Sequence, residues 1–396
     1  MKKGLIIAVI VLIIIATAGI LAYKFNQKGA DNGAANIAVT DKKTEVENSQ
    51  SVYIPEKVLA NKFGFLGGGQ GKDNPFVGNA GGAWVRPHPG PFLWDAMQES
   101  ADGKIDFSKT DEVIKNQQAQ NYGTLVTLWP FAEWDQKMGN NYKNCAVSAE
   151  DEFLSRNDKK GRMDYLPLHR CNPISWEKYK QWASAVVERY DGDGTNDLPN
   201  LKIPVKYWEV MNEPDLSYMS DSPDADRLCF YRQGPKEYAE LLIKTAEAIR
   251  SADKDAKVLI SGAAGADTRF LNFYRQALAV GGTGNAFDIG NVHCISNDQG
   301  TNDFNAGAYK KMLTALGINK PIWVTEAESF NGKTAEENYN FTKKSTAGAI
   351  AAGAERIFYT RYNFDDFRKD MSQKNVESKD SAKKSEQWYL EITSLY

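Results

Sequence analysis

Two glutamates in this chain stand where a charge is unusual. Glu213 closes the stretch Tyr207-Trp208-Glu209-Val210-Met211-Asn212-Glu213-Pro214, and Glu326 closes Lys320-Pro321-Ile322-Trp323-Val324-Thr325-Glu326. Both stretches are rich in β-branched and aromatic residues and read as short buried strands. Strands that face a core rarely finish in a carboxylate. In the first, Pro214 withdraws a backbone donor and ends the ladder directly after the acid. Two strand-end carboxylates, over a hundred residues apart in the chain, are what the cleavage of a glycosidic bond with retained configuration needs. One protonates the leaving oxygen while the other attacks the sugar carbon. The acid must hold its proton near neutral pH, so its pKa has to rise from about 4.3 toward about 6. An ionised carboxylate beside it supplies that push. Neighbouring acids have plainer readings: Glu209 as a deeper structural acid, Glu133 as a rim residue, and Glu328 as the reserve candidate for the nucleophile.

Such a pair needs a frame that sets strand ends side by side. Strand candidates are 63–66, 83–88, 123–129, 204–211, 256–261, 287–293, 321–326 and 356–359. Helical patterns fall at 108–121, 175–190, 235–252, 268–279, 304–316, 334–352 and 383–395. In the second of these Tyr179, Trp182, Ala183, Val186, Val187 and Tyr190 share one face. Alternating strands and helices predict a (β/α)8 TIM barrel. The first crossover, 67–82, is glycine-rich and has room only for a stunted helix. Chemistry in a barrel gathers at the C-terminal strand ends. There the sequence sets Arg86 and His88, Trp129, Asn212 and Glu213, His293, Glu326, and Tyr359 to Tyr362. Two of the three histidines lie at strand ends. Trp94, Trp129, Phe131, Trp134, Tyr359 and Tyr362 cluster near the expected mouth, where aromatic rings could cover the flat C–H faces of sugars. The insertion from Asp135 to Pro173 is too long for an ordinary loop and is expected to shape a cleft.

The motif Trp208-Glu209-Val210-Met211-Asn212-Glu213-Pro214, with Trp323-Val324-Thr325-Glu326, Arg86 and His293, resembles the clan A glycoside hydrolases, in particular their family 39 and family 5 branches. The resemblance covers residues 60–396. It implies that Glu213 is the acid/base and Glu326 the nucleophile. It further implies that Asn212 holds the sugar 2-hydroxyl, that Arg86 orients the nucleophile and that His293 lines the same floor. No cofactor takes part in such a reaction. The clan often ends strand eight in a tryptophan; this chain has Tyr359-Thr360-Arg361-Tyr362. A transglycosylase and a catalytically inactive cell-surface carbohydrate-binding protein are the alternative readings.

Ahead of the barrel lie two different materials. Residues 1–24 carry an apolar run, Leu5 to Tyr23, without a charge. Its length suits a transmembrane anchor, which needs roughly 20 apolar residues; Ala16-Thr17-Ala18 would suit cleavage of a signal peptide. Either places the remainder outside the cytoplasm, membrane-anchored or secreted. Residues 25–52 are polar and small and read as a flexible tether, leaving 53–396 as the globular domain. A net charge of −3 with no basic block in the globular part excludes nucleic acid as a partner; a carbohydrate substrate and a monomer are expected. Of the four cysteines, Cys145 and Cys171 bracket the long insertion and are the expected disulfide, while Cys294 reads as a small buried hydrophobe. Asp191-Gly192-Asp193-Gly194-Thr195-Asn196-Asp197 resembles half of a calcium loop, with Asp191, Asp193 and Asp197 as candidate ligands of a structural ion. It also reads as a plain Asp/Gly turn, and its position before strand four places it on the face opposite the chemistry.

Overall fold

The computed structural model describes residues 52–67, 75–88, 90–140, 142–147, 166–216, 229–295, 302–328, 334–364 and 379–396. The expected anchor and all but the last residue of the expected tether lie outside these residues, as does the middle of the Asp135–Pro173 insertion. No helix among the described residues is long and apolar enough to cross a membrane.

Eight strands form the barrel: β1 Phe63–Leu66, β2 Trp84–Arg86, β3 Gly123–Leu128, β4 Tyr207–Val210, β5 Lys257–Leu259, β6 Gly290–Cys294, β7 Ile322–Ala327 and β8 Ala354–Tyr359. They run β5-β4-β3-β2-β1-β8-β7-β6, every pairing parallel. The circuit closes from β5 to β6 through isolated parallel bridges, Leu259↔Ile289 and Ala263↔Val292. Crossover helices wrap the outside, among them Ser108–Ala119, Trp176–Glu188, Pro235–Ala252, Thr268–Leu278, Ala306–Ala315 and Ala335–Ala351. The last helix, Lys379–Thr393, closes the chain against the short Phe76–Asn79 helix of the first crossover. That crossover helix is one turn long, as its glycine-rich sequence predicts.

Alternation along the strands sorts side chains by depth. At the N-terminal end one interior cluster holds Trp84, Tyr207 and Trp323 together with Leu125, Leu259 and Phe358. Gly64 is required here, because a Cβ on it would come within 2.6 Å of the Phe358 ring. Arg356 lies across the aromatic group, its guanidinium 4.2 Å from the Trp84 ring centre and 4.6 Å from that of Trp323. The helix Glu56–Ala60 covers this end; the Leu59 carbonyl accepts from Arg356 Nη2 at 2.6 Å. Toward the C-terminal end the interior turns polar, with Arg86, Thr127, Glu209, Asn291 and Thr325 all buried.

Cys145 and Cys171 form the expected disulfide and tie the two ends of the insertion. Cys294 is buried in β6, as expected of a small hydrophobe, and Cys229 is buried outside the disulfide.

Candidate active site

The polar upper layer is organised by Arg86, at the end of β2 and fully buried. Its Nη1 donates to Glu326 Oε1 at 2.7 Å, and its Nη2 to Asn212 Oδ1 at 2.7 Å. Nε donates to Glu209 Oε2 at 2.8 Å, with Nη2 2.7 Å from the same oxygen. One planar guanidinium therefore ties the ends of β4 and β7 to β2, a fork that lysine could not reproduce.

Backbone irregularities fall at the candidate residues. After β4 the chain turns through two non-glycine residues in the left-handed region, Met211 at φ 68° and Glu213 at φ 41°. Conformations of this kind cost about 1–3 kcal/mol each and survive where surrounding contacts hold them. The β6–β7 register shifts between Val292 and His293, setting His293 opposite Glu326. An irregularity also falls between Val324 and Ala327 on β7. Bulges at a barrel rim re-aim side chains, and these two sit under His293 and Glu326.

The two candidate glutamates and His293 converge. A carboxylate oxygen of Glu213, one of Glu326 and a ring nitrogen of His293 all lie within 4.8 Å of one another. His293 Nδ1 is 2.7 Å from Glu213 Oε1 and 3.7 Å from Glu326 Oε1. Burial pushes the Glu213 carboxyl up to about 8, helped by Glu209 and opposed by Arg86 and an Asn212 hydrogen bond. Burial also raises Glu326, against the pull of His293 and Arg86. It lowers His293 to about 4, with Arg86 adding to burial and Glu326 and Glu209 opposing. The ring is therefore neutral near pH 7, and its contact with Glu213 is a hydrogen bond between neutral groups rather than an ion pair.

His88 is held neutral as well, lowered by burial, Arg86 and His293. Its Nε2 stands 3.8 Å from Glu326 Oε1, beyond hydrogen-bond reach, and its ring packs 5.5 Å from Trp129. Trp129 is fully buried, against Phe131 and Phe230. Trp134 packs edge-on against Trp94 and donates its indole N–H to the Gln98 carbonyl at 2.8 Å. Tyr359 departs from the expected mouth position. Its neighbour Phe358 takes the interior, so alternation turns Tyr359 outward against Phe65 and Tyr389, with its hydroxyl 2.8 Å from Thr346 Oγ1. Tyr362 donates its hydroxyl to the Leu66 carbonyl at the end of β1. Glu328, the reserve nucleophile, is engaged by Arg361 and by the Thr360 hydroxyl. Glu133 meets His169, whose Nδ1 lies 2.6 Å from Glu133 Oε1.

Glu209 is buried and hydrogen-bonded, as expected of a deeper structural acid, while sequence reading passed over Thr127, Asn291 and Gly262, which support it. Glu209 accepts from Arg86, from the Thr127 hydroxyl, from Asn291 Nδ2 at 2.7 Å and from the Gly262 amide at 3.3 Å. A Cβ on Gly262 would lie 2.0 Å from His293 Nε2, so only glycine fits beside that ring. The available signal was period two: Asn291 and His293 are i and i+2 on β6 and share its inner face.

The Asp191, Asp193 and Asp197 carboxylates also converge, with oxygens within 4.8 Å of one another. Their loop accepts its own backbone amides, Gly192 N to Asp197 Oδ1 at 2.9 Å and Gly194 N to Asp197 Oδ2 at 2.7 Å. Val52 N donates to the Gly192 carbonyl, tying this loop to the start of the described chain. Burial and the two neighbouring aspartates push Asp191 up to about 7.

No family model and no curated protein matches the sequence. Solved structures do match the fold. A family 39 glycoside hydrolase from Bacteroides cellulosilyticus WH2 superposes with a TM-score of 0.53 at 13% identity, over 84% of this chain and 63% of that one. A glucosidase from Croceicoccus marinus gives 0.55 at 13%, over 87% and 69%. The endo-1,4-beta-mannanase from Rhizomucor miehei gives 0.53 at 14%, over 85% and 95%. The first of these is longer, so this chain spans less than two thirds of it. What is shared with all three is a parallel eight-stranded barrel with alternating helices.

Proposed function

We propose that this chain is a retaining glycoside hydrolase of the clan A type, acting on O-glycosidic bonds of an oligo- or polysaccharide through a covalent glycosyl-enzyme. One observation carries the reading: Glu213 and Glu326 present carboxylate oxygens within 4.8 Å of each other. Retaining enzymes hold their carboxyl groups about 5–5.5 Å apart, whereas inverting enzymes leave about 6.5–9.5 Å for a water. The fold shared with solved glycosidases supports the same class.

The roles follow from the partners. Glu213, raised by burial, keeps a proton near neutrality and serves as general acid toward the leaving oxygen. Glu326 receives the Arg86 guanidinium on Oε1, which favours its ionised form and aims it as nucleophile. Asn212 spends its oxygen on Arg86, leaving its amide N–H groups as donors toward a sugar hydroxyl and toward Glu213. When the glycosyl-enzyme forms, the charge on Glu326 disappears, Glu213 becomes the stronger acid, and its carboxylate then takes a proton from water. The protein acts outside the cytoplasm as a monomer, tethered or secreted; the Cys145–Cys171 disulfide supports an oxidising compartment. Structural calcium on Asp191, Asp193 and Asp197 belongs to the same proposal, since hard oxygen donors suit that cation.

The test is the stereochemistry of rescue. Glu326→Ala should abolish turnover, and azide should restore it with inverted product. Glu213→Ala should spare the first step for substrates with good leaving groups, and azide should then yield product of retained configuration. Inverted azide product from Glu213→Ala would exchange the two roles. No turnover of any glycoside by the wild type would favour the inactive binding protein instead.

A further inference from the structure

Behind the two glutamates runs a chain of hydrogen bonds whose direction can be read link by link. It begins at Glu209, buried at the base of the site, whose partners among the described residues are all donors. A group surrounded by donors is a carboxylate, which only accepts. Asn291 must therefore turn its NH2 toward Glu209, Nδ2 to Oε1 at 2.7 Å, which points its carbonyl oxygen the other way. That oxygen accepts the Thr325 hydroxyl proton at 2.8 Å. A hydroxyl has one proton, so toward its remaining neighbour Thr325 can only accept. The neighbour is His293 Nε2, at 2.9 Å. Nε2 thus carries the imidazole proton, and in a neutral ring Nδ1 is left as an acceptor. Nδ1 faces Glu213 Oε1 at 2.7 Å.

We infer that Glu209 sets the tautomer of His293 through Asn291 and Thr325, so that His293 Nδ1 accepts from Glu213 and keeps the acid's proton on that carboxyl. The inference rests on the reading of Glu213 as the acid. Glu209, Asn291 and Thr325 are positioning residues: they act through His293, and Thr325 is buried behind the ring. The opposite tautomer would present Nδ1–H to Glu213, stabilise its carboxylate and release the proton that the leaving group needs. The Glu209–Arg86 contact makes the carboxylate at the base a charged anchor, so the chain's direction does not reverse by rotation of the Asn291 amide alone. Gly262 permits the arrangement by letting the His293 ring lie against the β5 end.

The experiment reads the tautomer and the pH profile together. The full chain, labelled with 15N only in histidine, gives at most three imidazole spin systems, because the sequence has three histidines. His88→Asn and His169→Asn identify the other two by difference. The expected result at pH 7 is a neutral His293 with the proton on Nε2; a proton on Nδ1 overturns the proposal. Thr325→Val removes the Nε2 acceptor and should move the ring toward the Nδ1–H form. The basic limb of kcat/KM should then fall by about one pH unit, a loss of about tenfold above it for substrates with poor leaving groups. Substrates with activated leaving groups need little protonation and should change less than about twofold at kcat. Thr325→Ser, which restores the hydroxyl, should restore both the tautomer and the limb. An unmoved limb in Thr325→Val overturns the proposal, because a merely structural role would lower activity evenly across pH. Around the pair, the other titratable or charged groups are Arg86, Glu326, His88, Glu209 and Asp215. None of them is altered in the threonine variants. If Thr325→Val does not fold, the wild-type tautomer decides the matter: a proton on Nε2 supports the proposal and a proton on Nδ1 overturns it. The tautomer is read without substrate, so failure of the hydrolase reading leaves this test standing.

Discussion

Arg86 and Glu213 show how single residues divide the labour. Arg86 reaches Glu326, Asn212 and Glu209 from one buried position, so its charge holds two carboxylates from different strands at once. Glu213 sits under His293 and is dominated by burial, which raises it to about 8. The sign of the pH dependence follows. If Glu213 is the acid, raising pH through its value removes the proton that the leaving oxygen requires, so kcat/KM should fall above about pH 8. If Glu326 is the nucleophile, lowering pH protonates it, sooner than an ordinary carboxylate because burial raises it, and activity falls on the acid side. The two limbs belong to the coupled pair rather than to either residue alone. Initial rates on an aryl glycoside with a poor leaving group, measured from pH 4 to 10, check this. Glu213→Ala should lose the basic limb with activated substrates, and a basic limb that stays would detach it from Glu213.

Between residue and barrel, strand ends and loops do the aiming. The β4 end passes through two left-handed residues at Met211 and Glu213, and the β6–β7 register slips at His293. These departures from regular strand geometry fall at or beside the candidate residues Glu213 and His293. The Asp191–Asp197 loop is the contrasting element: it lies before β4, linked to Val52, and its carboxylates cap its own amides. If it also holds calcium, millimolar calcium should raise the Tm and a chelator should reverse that, since an ion bound only by the folded state stabilises it. Asp197→Asn should abolish the calcium-dependent rise while leaving kcat/KM unchanged. Thermal melts of both proteins with calcium and with chelator would show it; a Tm indifferent to calcium leaves a plain Asp/Gly turn.

Over the whole molecule the barrel separates stability from chemistry along its axis. Its N-terminal end is closed by the Arg356 guanidinium among Trp84, Tyr207 and Trp323, with the Glu56–Ala60 helix beneath. Here an arginine serves as a flat, cationic packing element rather than as half of an ion pair. Arg356→Ala should cost about 2–4 kcal/mol, combining a cavity with lost cation–π contact. Arg356→Met, which keeps most of the volume, should cost less. Neither should alter kcat/KM where the protein remains folded, because the mouth lies at the other end. Denaturant melts beside initial rates test the separation, and a fall in kcat/KM without unfolding would contradict it.

Strand periodicity, the Asn212-Glu213-Pro214 stop and the Trp323-Val324-Thr325-Glu326 strand were enough to read the barrel and the two carboxylates from sequence. Both depend on local rules: alternation and proline punctuation act over a few residues, and a charge ending an apolar strand is conspicuous in any context. The Cys145–Cys171 pairing was legible for a similar reason, since the two cysteines bracket one insertion. Which way Tyr359 faces was not, because a shift of one residue reverses a strand's faces and only the packing of Phe358 inside the barrel decides it. Nor could spacing reveal that Glu209, Asn291, Thr325 and His293 form one line of hydrogen bonds. Those residues come from three strands, and their partnership exists only once β4, β6 and β7 bury these polar groups in one shared interior, where they must satisfy one another.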